Sequence, residues 1–118
     1  MEYDFRIILN DDAIIIDYED PQNFLGYGTQ GETVRGENWL SLFIDTSDFK
    51  KVMDAFVRTF SGEAEQYVHF QNDVLTAKKN HKYIDFHNRL IEIDGKPCLE
   101  SFGFEHFKGR VAEFKLSD

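Results

Sequence analysis

The apolar positions of this chain change period along its length, and those changes divide it into elements. Two short isoleucine-rich runs, "FRIIL" at 5–9 and "AIIID" at 13–17, are separated by Asn10, Asp11 and Asp12, which favour a turn, so they predict a β-hairpin. Asp20 and Pro21 then offer a helix start, with a short helical piece through Phe24 and Leu25 that Gly26 stops. From Gly26 to Gly36, glycines interrupt any regular pattern and leave room for one or two short helical turns. The stretch "FLGYGTQGETVRGENWLSLF" at 24–43 nevertheless carries Phe24, Leu25, Tyr27, Val34, Trp39, Leu42 and Phe43, a large apolar load for an irregular segment. The clearest helix is predicted from about Thr46 to Phe60. Phe49, Val52, Met53, Phe56 and Phe60 form one stripe at spacings of three and four, Asp45, Thr46 or Ser47 can cap it, and Gly62 lies just beyond its end.

Beyond the helix, the pattern shortens toward a period of two. "AEQYVHFQNDVLTA" (64–77), "HKYIDFHNRLIEI" (81–93) and "PCLESFGFEHF" (97–107) read as three antiparallel strands, joined at Lys79-Asn80, where Asn80 suits a left-handed turn, and at Asp94-Gly95, a strong hairpin signal. On the middle run, Ile84, Phe86, Asn88 and Leu90 share one face, while Tyr83, Asp85, His87, Arg89 and Ile91 share the other. Neither face is wholly polar, which predicts cover on both sides. Two strands, several short helices, one longer helix and three long strands define an α+β class.

Composition then limits what such a domain does. The chain has 118 residues, 42% of them apolar and 15% aromatic, enough for one core, with twelve phenylalanines against a single tryptophan. A formal charge of -9 argues against nucleic acid or an anionic membrane as the main partner. No apolar run approaches the roughly 20 residues of a spanning helix, and "MEYDFRIILND" lacks the basic start of a secretory signal. The lone Cys98 excludes an internal disulfide and a cysteine zinc cluster. A cytoplasmic domain is the expectation.

Candidate chemistry is sparse. Asp85 and His87, two apart on one strand face, have the residue types for acid-base work in a small isomerase or hydrolase, but alternate polar residues on a strand usually form its solvated face. Phosphate-binding glycine loops, nucleophile elbows and helical metal-ligand pairs are missing from the sequence. Asp11, Asp12, Glu19 and Asp20 read as a solvated acidic patch.

The order of elements and the motifs "NFLGYGTQGETVRGENWLSLFI" and "GEAEQYVHFQNDVLTAKKNHKYIDFHNRLIEIDGKPCLESFGFEH" resemble the PAS domain, the sensory module of bacterial signalling proteins. The resemblance covers almost the whole chain and implies a five-stranded antiparallel sheet curled around the segment between the second strand and the long helix. Residues 1–107 would be the sensory domain. Residues 108–118, with "VAEFKL" similar to the family's connector, would begin the link to an effector module in cis: a histidine kinase, diguanylate cyclase or chemoreceptor. Glu105, His106 and Phe107 stand where the family's aspartate-isoleucine-threonine motif is usual.

The same resemblance implies a non-catalytic module of a two-component or related system that binds a small molecule or pairs as a homodimer. Its pocket would be lined by Tyr27, Trp39, Phe43, Phe56, Phe70, Asn72, Phe86, Asn88, Ser101 and Gly103. A covalent flavin adduct is disfavoured because "GENWLSLFIDTSDF" has no cysteine, and haem because residues 45–60 hold no histidine; His69, His81, His87 and His106 fall on strands or turns.

Overall fold

The computed structural model of the chain describes residues 3–106. The connector at 108–118, and the family motif's last position at Phe107, lie outside the described residues. The first run forms strand β1 (Phe5–Leu9) and the second forms β2 (Ile15–Glu19), two residues later than the pattern predicts. The shift arises in the turn. The Asn10 side-chain oxygen accepts the N–H groups of Asp12 and Ile14, and Ala13 takes a left-handed φ of 63°, so residues up to Ala13 are consumed by the reversal.

The three later runs become β3 (His69–Leu75), β4 (His81–Ile93) and β5 (Lys96–Glu105), which pair consecutively and antiparallel. Asp94 and Gly95 both have positive φ, the type I′ geometry that matches strand twist. At the other turn, Lys79 rather than Asn80 is left-handed, because Thr76 accepts from Lys79 N–H through its carbonyl and from Asn80 N–H through its hydroxyl. Strand β1 pairs with both β2 and β5, giving one five-stranded sheet in the order β2-β1-β5-β4-β3.

Helix α1 (Trp39–Phe43) is capped by Asn38, whose side-chain oxygen accepts from Ser41 N–H. Helix α2 (Phe49–Arg58) is shorter than its pattern. Asp45 caps the preceding turn by accepting from Ser47 N–H and Thr46 hydroxyl, rather than capping the helix itself. Beyond α2 the chain makes a π-helical turn (Thr59–Glu63), reversed at Gly62 with φ of 100°, and a 3-10 turn (Ala64–Tyr67) occupies what the alternation assigned to a strand. The buried side of α2 is also rotated from the predicted stripe. Val52 and Ala55 are buried while Phe49 and Met53 are more than a third exposed, because the small Ala55 lets the helix approach the sheet.

No helix forms at 20–25. Asp20 is fully buried, not part of a solvated acidic patch, and its carboxylate accepts the N–H groups of Phe24 at 2.7 Å and Leu25 at 2.8 Å, with the Tyr18 hydroxyl 3.4 Å away. Its own N–H donates to Thr29. The connector from Asp20 to Asn38 is therefore a series of turns hung on one carboxylate. It is sewn to the sheet at both ends, since Ala77 N–H donates to Leu25, Ile15 N–H to Glu37 and Trp39 N–H to Ala13. Leu25 and Val34 pack from it into the core, and Gly31, at φ of 67°, passes so close to Tyr18 that a Cβ would lie 2.5 Å from the ring.

On the sheet's inner face, Phe5, Ile7 and Leu9 of β1 meet Ile84 and Phe86 of β4 and Leu99 of β5. Gly103, in register with Phe5, leaves the space that the Phe5 ring fills. A Cβ there would fall 2.3 Å from Phe5 Cζ. The outer face carries an ion-pair ladder across four strands. Arg6 reaches Asp17 at 3.0 Å and Glu100 at 2.8 Å, Arg35 reaches Asp17 at 2.8 Å, and Arg89 bonds the other Glu100 oxygen. Burial pushes the Asp17 carboxyl up, but hydrogen bonds from Arg35 and Arg6 outweigh it and hold the group below the ordinary carboxylate range.

Two substitutions test this packing. Gly103→Ala is expected to destabilise by about 1–3 kcal/mol in urea unfolding, with Phe5→Leu in the same chain restoring part of the loss. Asp20→Ala, which strands two backbone donors, is expected to cost about 2–4 kcal/mol, with Asp20→Asn intermediate because its amide still offers one oxygen.

Candidate functional site

Between the inner sheet face, α1 and α2 lies a cavity of about 50 Å³. Its apolar lining comes from β1 (Ile7, Leu9), α1 (Trp39, Leu40), α2 (Val52, Ala55, Phe56) and the sheet residues Phe70, Phe86 and Leu99. Its polar lining is Thr59, Tyr67, Asn72, Asn88 and Ser101. Strand parity explains the convergence. Asn88 and Ser101 are register partners on β4 and β5, and both fall on the inward side with Phe86 and Leu99.

The two amides are held differently. Asn88 Nδ2 donates to the Tyr67 carbonyl at 2.9 Å, and its oxygen accepts from the Ser101 hydroxyl at 2.6 Å. One side chain thus ties β4, β5 and the 3-10 turn. Asn72, 3% exposed, donates from Nδ2 to the Asp73 carbonyl at 2.8 Å. The Thr59 hydroxyl donates to the Ala55 carbonyl at 2.7 Å, which closes the last turn of α2. Phe56, Tyr67 and Phe70 are only partly buried and form the rim.

Of the residues expected to line a pocket, Trp39, Phe56, Phe70, Asn72, Phe86, Asn88 and Ser101 are brought together around this cavity. Tyr27, Phe43 and Gly103 are not among its walls. Phe43 stacks on Trp39 with ring centroids 4.3 Å apart, and Tyr27 packs on the far side of Phe43 at 4.9 Å, so both stand behind the tryptophan. Gly103 is covered by Phe5. The Tyr27 hydroxyl is buried without a hydrogen bond, and burial pushes its pKa up. Ala55, Thr59 and Tyr67 were missed, since a small residue in α2 carries little hydrophobic weight and the π-helical and 3-10 turns that follow leave no periodic signature.

Asp85 and His87 lie on the outer face, in an open depression with Lys51, His69, Gln71, Tyr83 and Phe104. Asp85 Oδ2 pairs with His106 Nδ1 at 2.7 Å while its Oδ1 is buried without a partner. His87 instead meets His69 edge-on, with centroids 4.5 Å apart, and leans on Phe104. The two therefore have separate neighbours and form no acid-base pair. Among the described residues, no group of three or more His, Cys, Asp and Glu is placed to hold a metal, and no helix is long and apolar enough to cross a membrane.

Burial lowers the His87 pKa below its ordinary 6.5, and His69 adds to the shift while Asp85 opposes it. Above 6.5 the ring is neutral in folded and unfolded chains alike. As pH falls through that value the unfolded chain takes up the proton first, so stability is lost toward acid. His87→Gln is expected to show a smaller drop in Tm between about pH 7.5 and about pH 5.5 than the parent protein, measured by thermal unfolding in matched buffers.

No protein-family model matches the sequence, and no curated protein does. Solved structures do share the architecture. The PAS domain of the Cronobacter turicensis RpfR quorum-sensing receptor, in complex with BDSF, aligns with a TM-score of 0.67 at 17% identity, covering 91% of this chain and 98% of that one. The same domain in complex with C12:0 aligns at 0.68 and 15% identity, with the same coverage. The PAS domain of a Desulfitobacterium hafniense protein aligns at 0.70 and 14% identity over 90% of this chain and 95% of that one. With its strand order, its sewn connector and its short helices facing one side of the sheet, the chain has the PAS fold.

Proposed function

We propose that this chain is a sensory module that binds a small molecule in the cavity under Trp39 and is not itself catalytic. The observation that carries the reading is a set of inward polar groups, the buried Asn72 and Ser101 and the half-buried Asn88, on an otherwise apolar inner sheet face. Buried amides in a core are costly unless they bond, and surplus capacity aimed into a void is what a binding site needs. Neighbours of the same fold are described in complex with C12:0 and BDSF, which supports a small-molecule occupant here.

The cavity, at about 50 Å³, exceeds the roughly 10–15 Å³ that one water requires but falls well below the roughly 300–1,000 Å³ of ligand pockets. Entry therefore requires the rim of Phe56, Tyr67 and Phe70 to move outward. A ligand that competes for Asn88 would loosen both the Tyr67 carbonyl and the Ser101 hydroxyl, and β5 would carry that change toward its end at Glu105. In this reading the effector follows in cis, as a histidine kinase, diguanylate cyclase or chemoreceptor module. The domain pairs with a second copy and works in the cytoplasm.

Trp39 is the sole tryptophan and lines the cavity, so its fluorescence reports on occupancy. Purified protein is expected to release a stoichiometric small molecule on denaturation, detected by mass, or to show a saturable Trp39 response and a raised Tm in a metabolite screen, with native mass reporting the dimer. Absence of any retained molecule, any response and any Tm shift would overturn the reading.

A further inference from the structure

We infer that the cavity is built for an uncharged ligand bearing a hydroxyl group, and that the Asn88–Ser101 pair receives that hydroxyl as acceptor. The inference rests on the small-molecule reading above and deepens it. Among the described residues, the lining contains no Asp, Glu, Lys, Arg or His. A carboxylate or ammonium placed there would be desolvated without a counter-charge, which disfavours both strongly.

Hydrogen-bond direction narrows the class further. The Tyr67 carbonyl can only accept, so the Asn88 atom facing it is the NH₂ group and the atom facing Ser101 is the oxygen. Ser101 must then donate its one hydroxyl hydrogen to Asn88. Thr59 is in the same position, its hydrogen spent on the Ala55 carbonyl. Asn72 turns its NH₂ to the Asp73 carbonyl. Each fixed partner is a backbone carbonyl or an amide oxygen already assigned, so none of these orientations is free to reverse.

What remains at the polar end is mostly accepting capacity, two lone pairs on the Ser101 hydroxyl, a second on the Asn88 oxygen and those of Thr59, beside one unused NH₂ hydrogen on each asparagine. An ether or ketone can accept an asparagine NH₂ hydrogen but leaves the Ser101 and Asn88 lone pairs unmet. A hydroxyl donates into that cluster, and its own oxygen accepts the second NH₂ hydrogen of an asparagine. An apolar tail of a few carbons then meets the walls formed by Leu40, Val52 and Phe86.

The test is an amide NMR titration of the purified protein with probes matched in size: 1-butanol, methyl propyl ether, butyrate, butylammonium, and xenon as a probe of the void alone. Saturable shifts at residues 88 and 101 are expected with 1-butanol, about tenfold weaker binding with the ether, and no saturable shift with either ion. Ser101→Ala should abolish the preference of alcohol over ether while leaving xenon binding intact, which also shows that the variant is folded. If the ether or either ion binds as well as the alcohol, the ligand class is wrong and the sensory reading stands. If neither the organic probes nor xenon enter, both fall.

Discussion

One buried carboxylate makes the rest of this fold feasible. The sheet's inner face is apolar and concave, and two short helices leave part of it uncovered. The remaining cover must come from a segment without regular structure, whose backbone polar groups would otherwise be stranded against a core. Asp20 resolves the conflict where the connector begins, by accepting two consecutive N–H groups and anchoring the chain beside Tyr18. Burial and the charge of Asp20 both push the Tyr18 hydroxyl pKa up, which keeps it a donor toward that carboxylate. With the start fixed, the exit is fixed by bonds to Ile15 and Ala13, and Trp39 arrives over the sheet at one defined position.

That position decides whether space remains beneath it. Trp39 is backed by Phe43 and faces Phe86 edge-on, with centroids 6.1 Å apart, so it is braced from the connector side and cannot settle further onto β4. Phe5 closes the neighbouring region by occupying the space above Gly103. The void is thus displaced toward α2, where Ala55 and Thr59 are too small to fill it. Behind the sheet, Glu100 is held by Arg6 and Arg89, and a carboxylate with only 6% of its side chain exposed depends on both cations. This clamp spans β1, β5 and β4 on the face opposite Ser101, and it stiffens the strands that form the cavity floor.

The parts of this arrangement that follow a period were legible in the sequence. Alternation placed Ile84, Phe86 and Asn88 on one side of β4, and the Asp94-Gly95 signal fixed the hairpin that sets Asn88 opposite Ser101. Signals that depend on distant partners were not legible. Asp20-Pro21 looks the same whether the carboxylate caps a helix or supports a turn, and only the Thr29 and Tyr18 contacts distinguish them. Gly103 reads as a pocket wall until Phe5, close to the other end of the chain, is seen to fill it. The inward side of α2 was misjudged because Ala55 and Thr59 carry little hydrophobic weight, although their small size is what lets the helix approach. Lys79 is left-handed against residue preference because the Thr76 bonds outweigh the modest cost of that conformation.

Asn88 joins these constraints to function. It is the one side chain among the cavity's polar residues that bonds to two other elements, the 3-10 turn at Tyr67 and strand β5 at Ser101. A group that only filled space would add contacts and leave both bonds alone. A group that bonds at this end must share Ser101 or Asn88, and the rim residue Tyr67 and the strand β5 respond together because the same amide holds both. In the proposed reading the rim would control entry and β5 leads toward the chain's C-terminal part, so recognition and output would share a single hydrogen-bonded junction. The unliganded junction already ties Asn88 to both Tyr67 and Ser101, which gives that state a defined geometry rather than a loose one. A ligand would then shift the balance between two ordered arrangements by as much as it bonds one of them better than the other.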